Sequence, residues 1–405
     1  MKNFIKTYFD FSKNENFVYL TAAAVFLPYP LAILLLLIMS VYILAKKNIK
    51  KEVFCHTGSF LIVVFSAFTA VTALCYKNYL GLMVSALFFL IFVVAFYIRS
   101  VMTTELFEKM LSLCCRFSIF ASGVVLFEKI IYFNSKTHRC YGDFFGNKLT
   151  SFYFSPTYLA SCMAVVVLIC AYKVINRKGN KKYYYLIAIL SMLTMYFGGS
   201  MFIWVNVFAG LAVYLFLSRH HKLLGLLFVL VTLGGVTLFF VPNILPRLSE
   251  SMLTSDNRML IWNLSVESIP QSIFTGRGFQ SYGLIALNLI KQGADGVYSA
   301  YHSHNIILEC LLSFGIIGST IILAFMFTFF QKILICSHVL KRSHISILIM
   351  AVASGVLVHS IIDMPMLWVQ TMLLYGLIFS GLGADEKRIS RIFKRLKNSN
   401  ISEVK

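Results

Sequence analysis

The chain has 405 residues, of which 59% are hydrophobic, and it carries a formal net charge of +20 with a mean hydropathy of +0.80. Soluble domains are about 45 to 50% apolar, so this composition excludes an ordinary soluble fold. The lysines and arginines are concentrated in alternate loops between apolar runs, which is a topology signal and not a nucleic-acid footprint. The sequence therefore predicts an all-α, polytopic membrane protein with no nucleic-acid partner.

Apolar runs long enough to cross a bilayer follow one another along the chain. We place them at 17–45, 57–75, 79–98, 110–133, 152–175, 183–199, 201–217, 223–241, 305–330, 345–362 and 364–382. Pro28 and Pro30 interrupt the first run, and because proline kinks or ends a helix, this run is either one kinked span or a tight pair. The two alternatives give 11 or 12 transmembrane helices in a single domain over 1–405.

Basic loops predict the orientation of the bundle. Most lysines and arginines lie around 46–51, 99–109, 177–182, 219–222 and 332–342, and in a basic tail at 383–405. These segments are predicted to be cytoplasmic. The long polar segment 242–303, between the spans that end near 241 and start near 305, is then an external loop, periplasmic or extracellular.

The cysteines give no sign of a metal site. The 9 cysteines have no paired ligand spacing, and most of them fall in or beside apolar runs. We therefore expect no zinc, no structural disulfide and no cofactor.

A surface helix is predicted near the middle of the external loop. Ser255 or Asp256 can cap a helix start, and apolar residues then recur at helical spacing. Arg258 falls in the first turn, where backbone N–H groups and a guanidinium both favour an anion. Arg258 is thus a candidate phosphate ligand, with an interfacial or solvated arginine as the alternative.

A second guanidinium lies in Gly276-Arg277-Gly278. The segment lacks the strand and the further glycines of a nucleotide-binding fingerprint. It is therefore a turn in which Arg277 is a candidate substrate ligand.

Two imidazoles stand where the polar loop meets the next apolar run. His302, His304 and Asn305 precede this run, and Glu309 follows on the same helix. Imidazole accepts and donates protons near neutral pH, which makes this boundary a candidate for catalysis. A polar anchor at the membrane surface is the alternative.

Two further segments supply candidates at the external side. His359 and Asp363 are four residues apart on one helical face, as in sites where a carboxylate orients an imidazole, or in a helix-capping pair. Arg139 lies in the external loop 134–150. The segment 154–158 that follows begins a span, with a role in the acceptor groove as the alternative.

Taken together, these parts resemble the bacterial O-antigen polymerase and O-antigen ligase superfamily. The shared motifs are NRMLIW at 257–262, IFTGRGFQSYG at 273–283, YHSHNIILECLLSFGIIG at 301–318 and HSIIDMPM at 359–366. The resemblance is strongest over 255–320 and weaker over 355–370, and elsewhere it rests on hydropathy.

The resemblance implies a metal-independent glycosyltransferase of the bacterial inner (cytoplasmic) membrane with an outward-facing active site. Its substrates would be an undecaprenyl-pyrophosphate-linked glycan donor and a glycan acceptor within the lipid bilayer. In an O-antigen or capsule polymerase the acceptor is another lipid-linked repeat unit. In a ligase it is lipid A core or a protein. Other polysaccharide-assembly proteins are expected as partners.

The resemblance also implies roles for individual residues. It assigns His304 to the acceptor hydroxyl or the departing pyrophosphate and Arg258 to the pyrophosphate, with His302 beside them. The substrate-binding candidates are Arg277, Asn305, Glu309, Arg139, Asp363 and His359. Family members often carry a serine–arginine pair where this chain has Gly199-Ser200-Met201. Either the second cation comes from elsewhere, with Arg277, Arg139 and Arg247 as candidates, or the site is organised differently.

Two other classes of function were weighed against the enzyme. A flippase or transporter would line a central cavity with charges on many spans, whereas here the polar residues are concentrated in one external loop. A non-catalytic scaffold would have no need of Arg258 together with the pair His302 and His304. The sequence thus favours a polymerase, with the ligase open inside the same class.

Overall fold

The computed structural model describes residues 10–11, 13–134, 151–200, 202–240 and 257–403. Within these ranges every regular element is helical, which confirms the all-α polytopic class. The helices are α1 (Asn14–Phe26), α2 (Tyr29–Ala45), α3 (Lys47–Phe54), α4 (Ser59–Cys75), α5 (Tyr79–Val101), α6 (Thr104–Asn134), α7 (Pro156–Ile175), α8 (Lys181–Gly198), α9 (Ile203–Leu217), α10 (His221–Phe240), α11 (Asn257–Ser268), α12 (Ser281–Lys291), α13 (Ile306–Glu309), α14 (Gly315–Val339), α15 (His344–Ser360), α16 (Val369–Ser380) and α17 (Leu382–Glu403).

Several helical segments are long and apolar enough to cross a membrane. They are Tyr79–Val101, Thr104–Ile130, Pro156–Ile175 and Ile306–Val339, with α2 and α3 as a further pair bent by 100°. Shorter apolar helices cover Ser59–Cys75, Ile203–Leu217, His221–Thr237 and His344–Ser360. The protein is thus a multi-pass membrane protein, and the number of 11 or 12 spans stays a prediction.

The first apolar run is a tight pair of helices. The chain turns at Leu27-Pro28, and α2 then runs back along α1. The rings of Phe17 and Tyr42 are 5.7 Å apart, and Thr21 Oγ1 lies 3.6 Å from Met39 Sδ. Residues far from the turn on both sides therefore meet, which excludes a single kinked helix.

Helix α7 lies at the centre of the bundle. It is the most enclosed of the long apolar helices, with 78% of its apolar window buried. Lys173 near its end forms a 2.6 Å ion pair with Glu108 of α6. A buried charge is tolerated only with such a partner, so this pair fixes the ends of α6 and α7 together.

The segment 257–303 builds a small hydrophobic core of its own. Helix α11 covers the residues where a helix was predicted, and its cap candidates Ser255 and Asp256 lie outside the described residues. Its location at the membrane surface stays a prediction. Helices α11 and α12 pack over the start of α13 through Ile261, Ile269, Tyr282, Ile285, Ala286 and Leu312. This core, which the sequence analysis did not predict, holds the segment against the membrane bundle.

The span predicted at 305–330 is interrupted near its start. A π-helical turn, Cys310–Phe314, follows α13, and Gly315 then takes φ +61° and ψ −169°, which is not helical. A helix break at membrane depth leaves backbone groups that must find partners within the protein.

The turn around Arg277 supplies those partners. The N–H groups of Arg277 and Gly278 donate to carbonyls on one side of the break, and carbonyls of the preceding residues accept from N–H groups on its other side. The pairs are Arg277 to Leu312 at 3.2 Å, Gly278 to Ser313 at 2.8 Å, Ile316 to Ile273 at 2.8 Å and Ile317 to Phe274 at 3.0 Å. The segment before α12 is thus hydrogen-bonded to the helix break through its backbone.

The predicted basic tail is a helix docked on the bundle. In α17, Asp385 accepts a 2.7 Å hydrogen bond from Ser346, and Glu386 forms a 2.6 Å ion pair with Arg99. The first turn of α17 therefore closes the end of the bundle where α5 ends and α15 begins.

Candidate active site

Asn305 fixes the start of α13 to the end of α15. Its Oδ1 accepts hydrogen bonds from the N–H groups of Ile307 and Leu308 at 2.9 and 3.1 Å, as a helix cap does. Its Nδ2 donates to the carbonyl of Ile361 at 2.9 Å. The side chain predicted to bind substrate is engaged in a structural joint.

His304 is held in a backbone conformation that few residues adopt. Its φ is +53°, in the left-handed region that costs an L-residue roughly 1–2 kcal/mol. The conformation brings His304 Nδ1 to 2.9 Å from Oδ1 of Asp363. Strain of this kind is typical of sites where a side chain must point in one direction.

The carboxylate of Asp363 determines which nitrogen of His304 is available. Burial by itself raises the pKa of Asp363, but the hydrogen bond and charge of His304 hold that pKa well below its usual range. An ionised carboxylate only accepts, so Nδ1 of His304 carries the proton it donates to Asp363. In the neutral ring Nε2 is then the acceptor, on a side chain that is 27% exposed.

His302 contacts both the backbone and the ring of His304. Its Nδ1 accepts a hydrogen bond from the N–H of His304 at 3.3 Å, and the two rings are 4.3 Å apart. Burial, and then the neighbouring imidazole of His304, lower the pKa of His302 to about 3. His302 is therefore neutral near pH 7, and its contacts are those of a positioning residue.

Glu309 holds the turn that contains Ser303 and His304. Its carboxylate, fully buried, accepts from the N–H of Ser303 at 2.8 Å and from the hydroxyl of Ser313 at 2.6 Å. Both oxygens are engaged, so Glu309 holds the turn before His304.

A further imidazole, that of His359, lies on α15 near its contact with α9. They pack antiparallel, with close contacts of Gly210 with Ala351 and of Asn206 with Gly355. One further turn brings Phe202 and His359 to the same level. His359 is fully buried, and neither of its ring nitrogens has a hydrogen-bond partner within the ranges described.

Arg258, on α11, lies close to Phe202 of this helix pair. Its guanidinium lies 4.5 Å from the ring centroid of Phe202. Phe202 lies at the start of α9, at the level of His359 on α15, so Arg258 and His359 lie at the same end of this helix pair.

Arg277 has other neighbours. Its guanidinium donates to Gln271 at 2.6 Å and to Ser272 at 3.2 Å, and it lies 5.6 Å from the ring of Tyr76. These contacts stabilise the turn at the helix break. The role of Arg277 in substrate binding stays a prediction, and Arg139 and Arg247 lie outside the described residues.

An aromatic cluster borders the site, and the sequence analysis missed it. Trp368 stacks on Tyr158 with ring centroids 5.2 Å apart and on Phe154 at 4.8 Å. The exposed Tyr301, next to His302, meets Phe154 at 6.2 Å. The signal was the density of aromatic residues around the prolines of two span starts, FYFSPTY at 152–158 and MPMLW at 364–368.

The same residues have the composition of a small metal site. His302, His304 and Asp363 each offer one ligand atom, and these atoms lie within 4.8 Å of one another. Two imidazoles and a carboxylate suit zinc or a similar ion.

Comparison with known families finds a match over part of the chain. Residues 186–323, about a third of the chain, match the family model described as O-antigen ligase. The matched segment contains Arg258, Arg277 and the turn 301–305, while Asp363 lies beyond it. A comparison with curated proteins found no match. The protein is therefore a multi-pass membrane protein that is similar to the O-antigen ligase family over this segment.

Proposed function

We propose that this protein polymerises undecaprenyl-pyrophosphate-linked repeat units of an O-antigen or capsular polysaccharide on the outer face of the cytoplasmic membrane. The observation that carries the proposal is the pair of His304 and Asp363, which leaves Nε2 of a partly exposed imidazole as a proton acceptor. The family match supports glycosyl transfer as the type of reaction.

In the proposed reaction, His304 Nε2 accepts the proton of the acceptor hydroxyl. The hydroxyl oxygen forms a bond to the anomeric carbon of the donor glycan, and the bond from that carbon to the pyrophosphate oxygen breaks. Its electron pair leaves with undecaprenyl pyrophosphate. General base catalysis and charge stabilisation of this type contribute several orders of magnitude in rate.

Arg258 is proposed to hold the leaving pyrophosphate. A guanidinium offers a planar fork that matches phosphate oxygens, and Phe202 keeps the plane of this one in place at 4.5 Å. His359 lies at the same end of α9 and α15 as Arg258, and its ring nitrogens, which have no partner among the described residues, would supply a further polar contact for the phosphate.

The aromatic cluster around Trp368 is proposed to bind the sugars. Phe154 and Tyr301 extend the cluster to the turn that carries His304. Aromatic faces pack against the apolar faces of pyranose rings and bury them at a low entropic cost. The acceptor chain then lies across these rings with one hydroxyl toward His304.

The test is glycosyl transfer by purified protein in lipid vesicles with undecaprenyl-pyrophosphate-linked repeat units. We expect chain growth with wild type and its loss with His304→Ala and Arg258→Ala. Full-length products from either variant would refute the catalytic assignment. Chelation tests the metal alternative directly, because loss of transfer with EDTA and its recovery with zinc would place an ion at His302, His304 and Asp363.

The ligase is the second candidate, since the matching family is described as O-antigen ligase. A deletion strain separates the two functions. Single repeat units attached to the final acceptor indicate that a polymerase is missing. Long chains retained on the lipid carrier indicate that a ligase is missing.

A further inference from the structure

A large cavity lies at the other end of α7 from His304. Its volume is about 1030 Å³, and we call it the basic cavity; its polar lining includes Glu108, Ser112, Arg116, Lys173, Arg177 and Lys178. Tyr158, at the start of α7, is within electrostatic reach of Asp363, whereas Lys173 in its last turn lines the cavity. The fifteen residues between them span roughly 22 Å of helix, so the cavity is a separate site.

The basic cavity carries more cations than its carboxylates can neutralise. Glu108 is committed to Lys173 at 2.6 Å, and Glu105 to Lys109 at 2.8 Å. Arg116, Arg177 and Lys178 also line the cavity, and they have no carboxylate partner in the part of the chain that the structure describes. All three are exposed, so their charges face whatever fills the cavity.

Arg177 occupies a position where glycine is the usual residue. The N–H of Lys178 donates to the carbonyl of Lys173 at 2.8 Å, which is the bond that closes a helix with a left-handed residue in between. Arg177 is that residue, with φ +55°. Glycine would fit there without strain, so an arginine at this point places a charge in the cavity at a conformational cost.

Apolar walls and a second basic surface adjoin these cations. Tyr19, Leu113 and Tyr184 line the same cavity. A neighbouring cavity of about 350 Å³ shares Thr104 and Glu105 and adds Lys387, Arg388 and Arg391 of α17. Ile392 and Phe393, exposed beside them, give α17 the apolar and basic faces of a helix at a membrane surface.

We propose that the basic cavity binds the phosphate headgroup of an anionic phospholipid. Basic pockets between transmembrane helices at the end that carries the basic loops bind such headgroups. The phosphate would be neutralised by Arg116, Arg177 and Lys178, and the glycerol and first methylenes would lie against Tyr19 and Leu113. This site does not depend on the proposed glycosyl transfer.

The test uses the full-length protein in detergent with three probes: dioleoyl phosphatidylglycerol, dioleoyl phosphatidylcholine and inorganic phosphate. Bound lipid is counted by native mass spectrometry, and the midpoint of thermal unfolding is measured with each probe. The variant is Arg177→Gly with Lys178→Gln, in which glycine suits the backbone. Arg219→Gly is the matched control, because Arg219 ends α9 with φ +62° and does not line the cavity.

We expect phosphatidylglycerol to be retained by wild type and by Arg219→Gly, and to raise the unfolding midpoint of both. The double variant should fold and bind this lipid more weakly, by roughly fivefold for each cation removed. Equal retention by the double variant would overturn the proposal. So would equal stabilisation by phosphatidylcholine, or stabilisation by inorganic phosphate as large as that by the lipid, which would indicate a soluble anion as the ligand.

Discussion

His304 Nδ1 lies 2.9 Å from Asp363 Oδ1, although 59 residues separate them in the sequence. The hydrogen bond joins the start of α13 to the loop after α15, and Asn305 ties the same two segments together at Ile361. The geometry of the proposed base therefore depends on how these two segments pack.

Asp363→Asn tests whether the carboxylate determines which ring nitrogen of His304 carries the proton. The amide keeps the size of the side chain but can donate a hydrogen bond to Nδ1, which moves the imidazole proton to Nε2. We expect glycosyl transfer to fall by roughly 10²- to 10⁴-fold with little change in donor affinity. The measurement is kcat and KM for chain growth in vesicles. A rate within threefold of wild type would show that Asp363 only caps the loop.

Arg258→Lys separates charge from shape at the proposed pyrophosphate site. Lysine keeps the charge but loses the planar fork and its stacking on Phe202, so we expect a rate loss of about 10- to 100-fold. Arg258→Ala should cost about 10²- to 10³-fold, as removal of a charge-stabilising donor does elsewhere. The transfer rates of both variants are compared with those of Phe202→Leu. If the two arginine variants transfer at the same rate as wild type, Arg258 is an interfacial residue.

The pKa of His302 makes the stability of the fold pH-dependent. His302 is neutral in the folded protein down to about pH 3, whereas in the unfolded chain it gains a proton near pH 6.5. Between these values the unfolded state binds more protons. The contribution of His302 to the free energy of unfolding is therefore fully present above about pH 6.5. It is lost as the pH falls toward 3, by at most about 1.4 kcal/mol per pH unit.

His302→Asn removes this titration and keeps an oxygen that can accept from His304. Thermal unfolding of both proteins between pH 7.5 and 4.5 gives the difference, in which all other groups cancel. We expect the variant to lose less stability than wild type as the pH falls. Parallel curves would mean that His302 is accessible to protons in the folded state.

Glu309→Gln tests whether the buried carboxylate positions the catalytic turn. The amide keeps an oxygen for the N–H of Ser303 but turns an NH2 group toward Ser313, whose hydroxyl must then accept instead of donate. Hydrogen bonds to a charged group are thereby replaced by neutral ones, at a cost of about 1 kcal/mol. We expect a lower unfolding midpoint and a lower kcat with an unchanged KM. Glu267→Gln, on an exposed part of α11, is the control and should change neither quantity.

Gly276→Ala tests the backbone joint at the helix break. A Cβ there would lie 2.4 Å from the backbone of Ser313 and Phe314, whereas at Gly293 it would meet nothing within 4 Å. Both glycines have positive φ, at +63° and +81°. We therefore expect Gly276→Ala to lower the free energy of unfolding by at least about 1–3 kcal/mol more than Gly293→Ala does, which is the usual cost of overpacking. Equal unfolding midpoints would show that the joint can open without cost.

The membrane bundle was predicted well because its signals are local. Apolar runs and their proline and glycine breaks determine where helices begin and end, and the turn at Pro28 and the end of α8 at Gly198 appear where these residues predicted them. The break at Gly315 was missed, since its partners lie around Arg277 and no local pattern shows that pairing.

The structure brings several of the predicted site residues together, but it pairs them differently from the prediction. Helical spacing suggested His359 as the partner of Asp363, whereas in the structure Asp363 is hydrogen-bonded to His304. The hydrogen bond depends on the left-handed backbone of His304, which the sequence does not reveal. Similarly, Glu309 and Asn305 are common residue types in a substrate site, and only the contacts show that their polar atoms are already used.

The interrupted helix also bears on how the protein is made. Residues 272–278 leave the ribosome before Leu312 and Ile316, so the segment that satisfies the break is already synthesised when the break itself is inserted. If the loop is outside, it must be translocated and folded before α14 can settle in the bilayer. The turn 301–305 would then be completed only after Asp363, the partner of His304, has also been synthesised, so a chain halted before α15 would lack the pair.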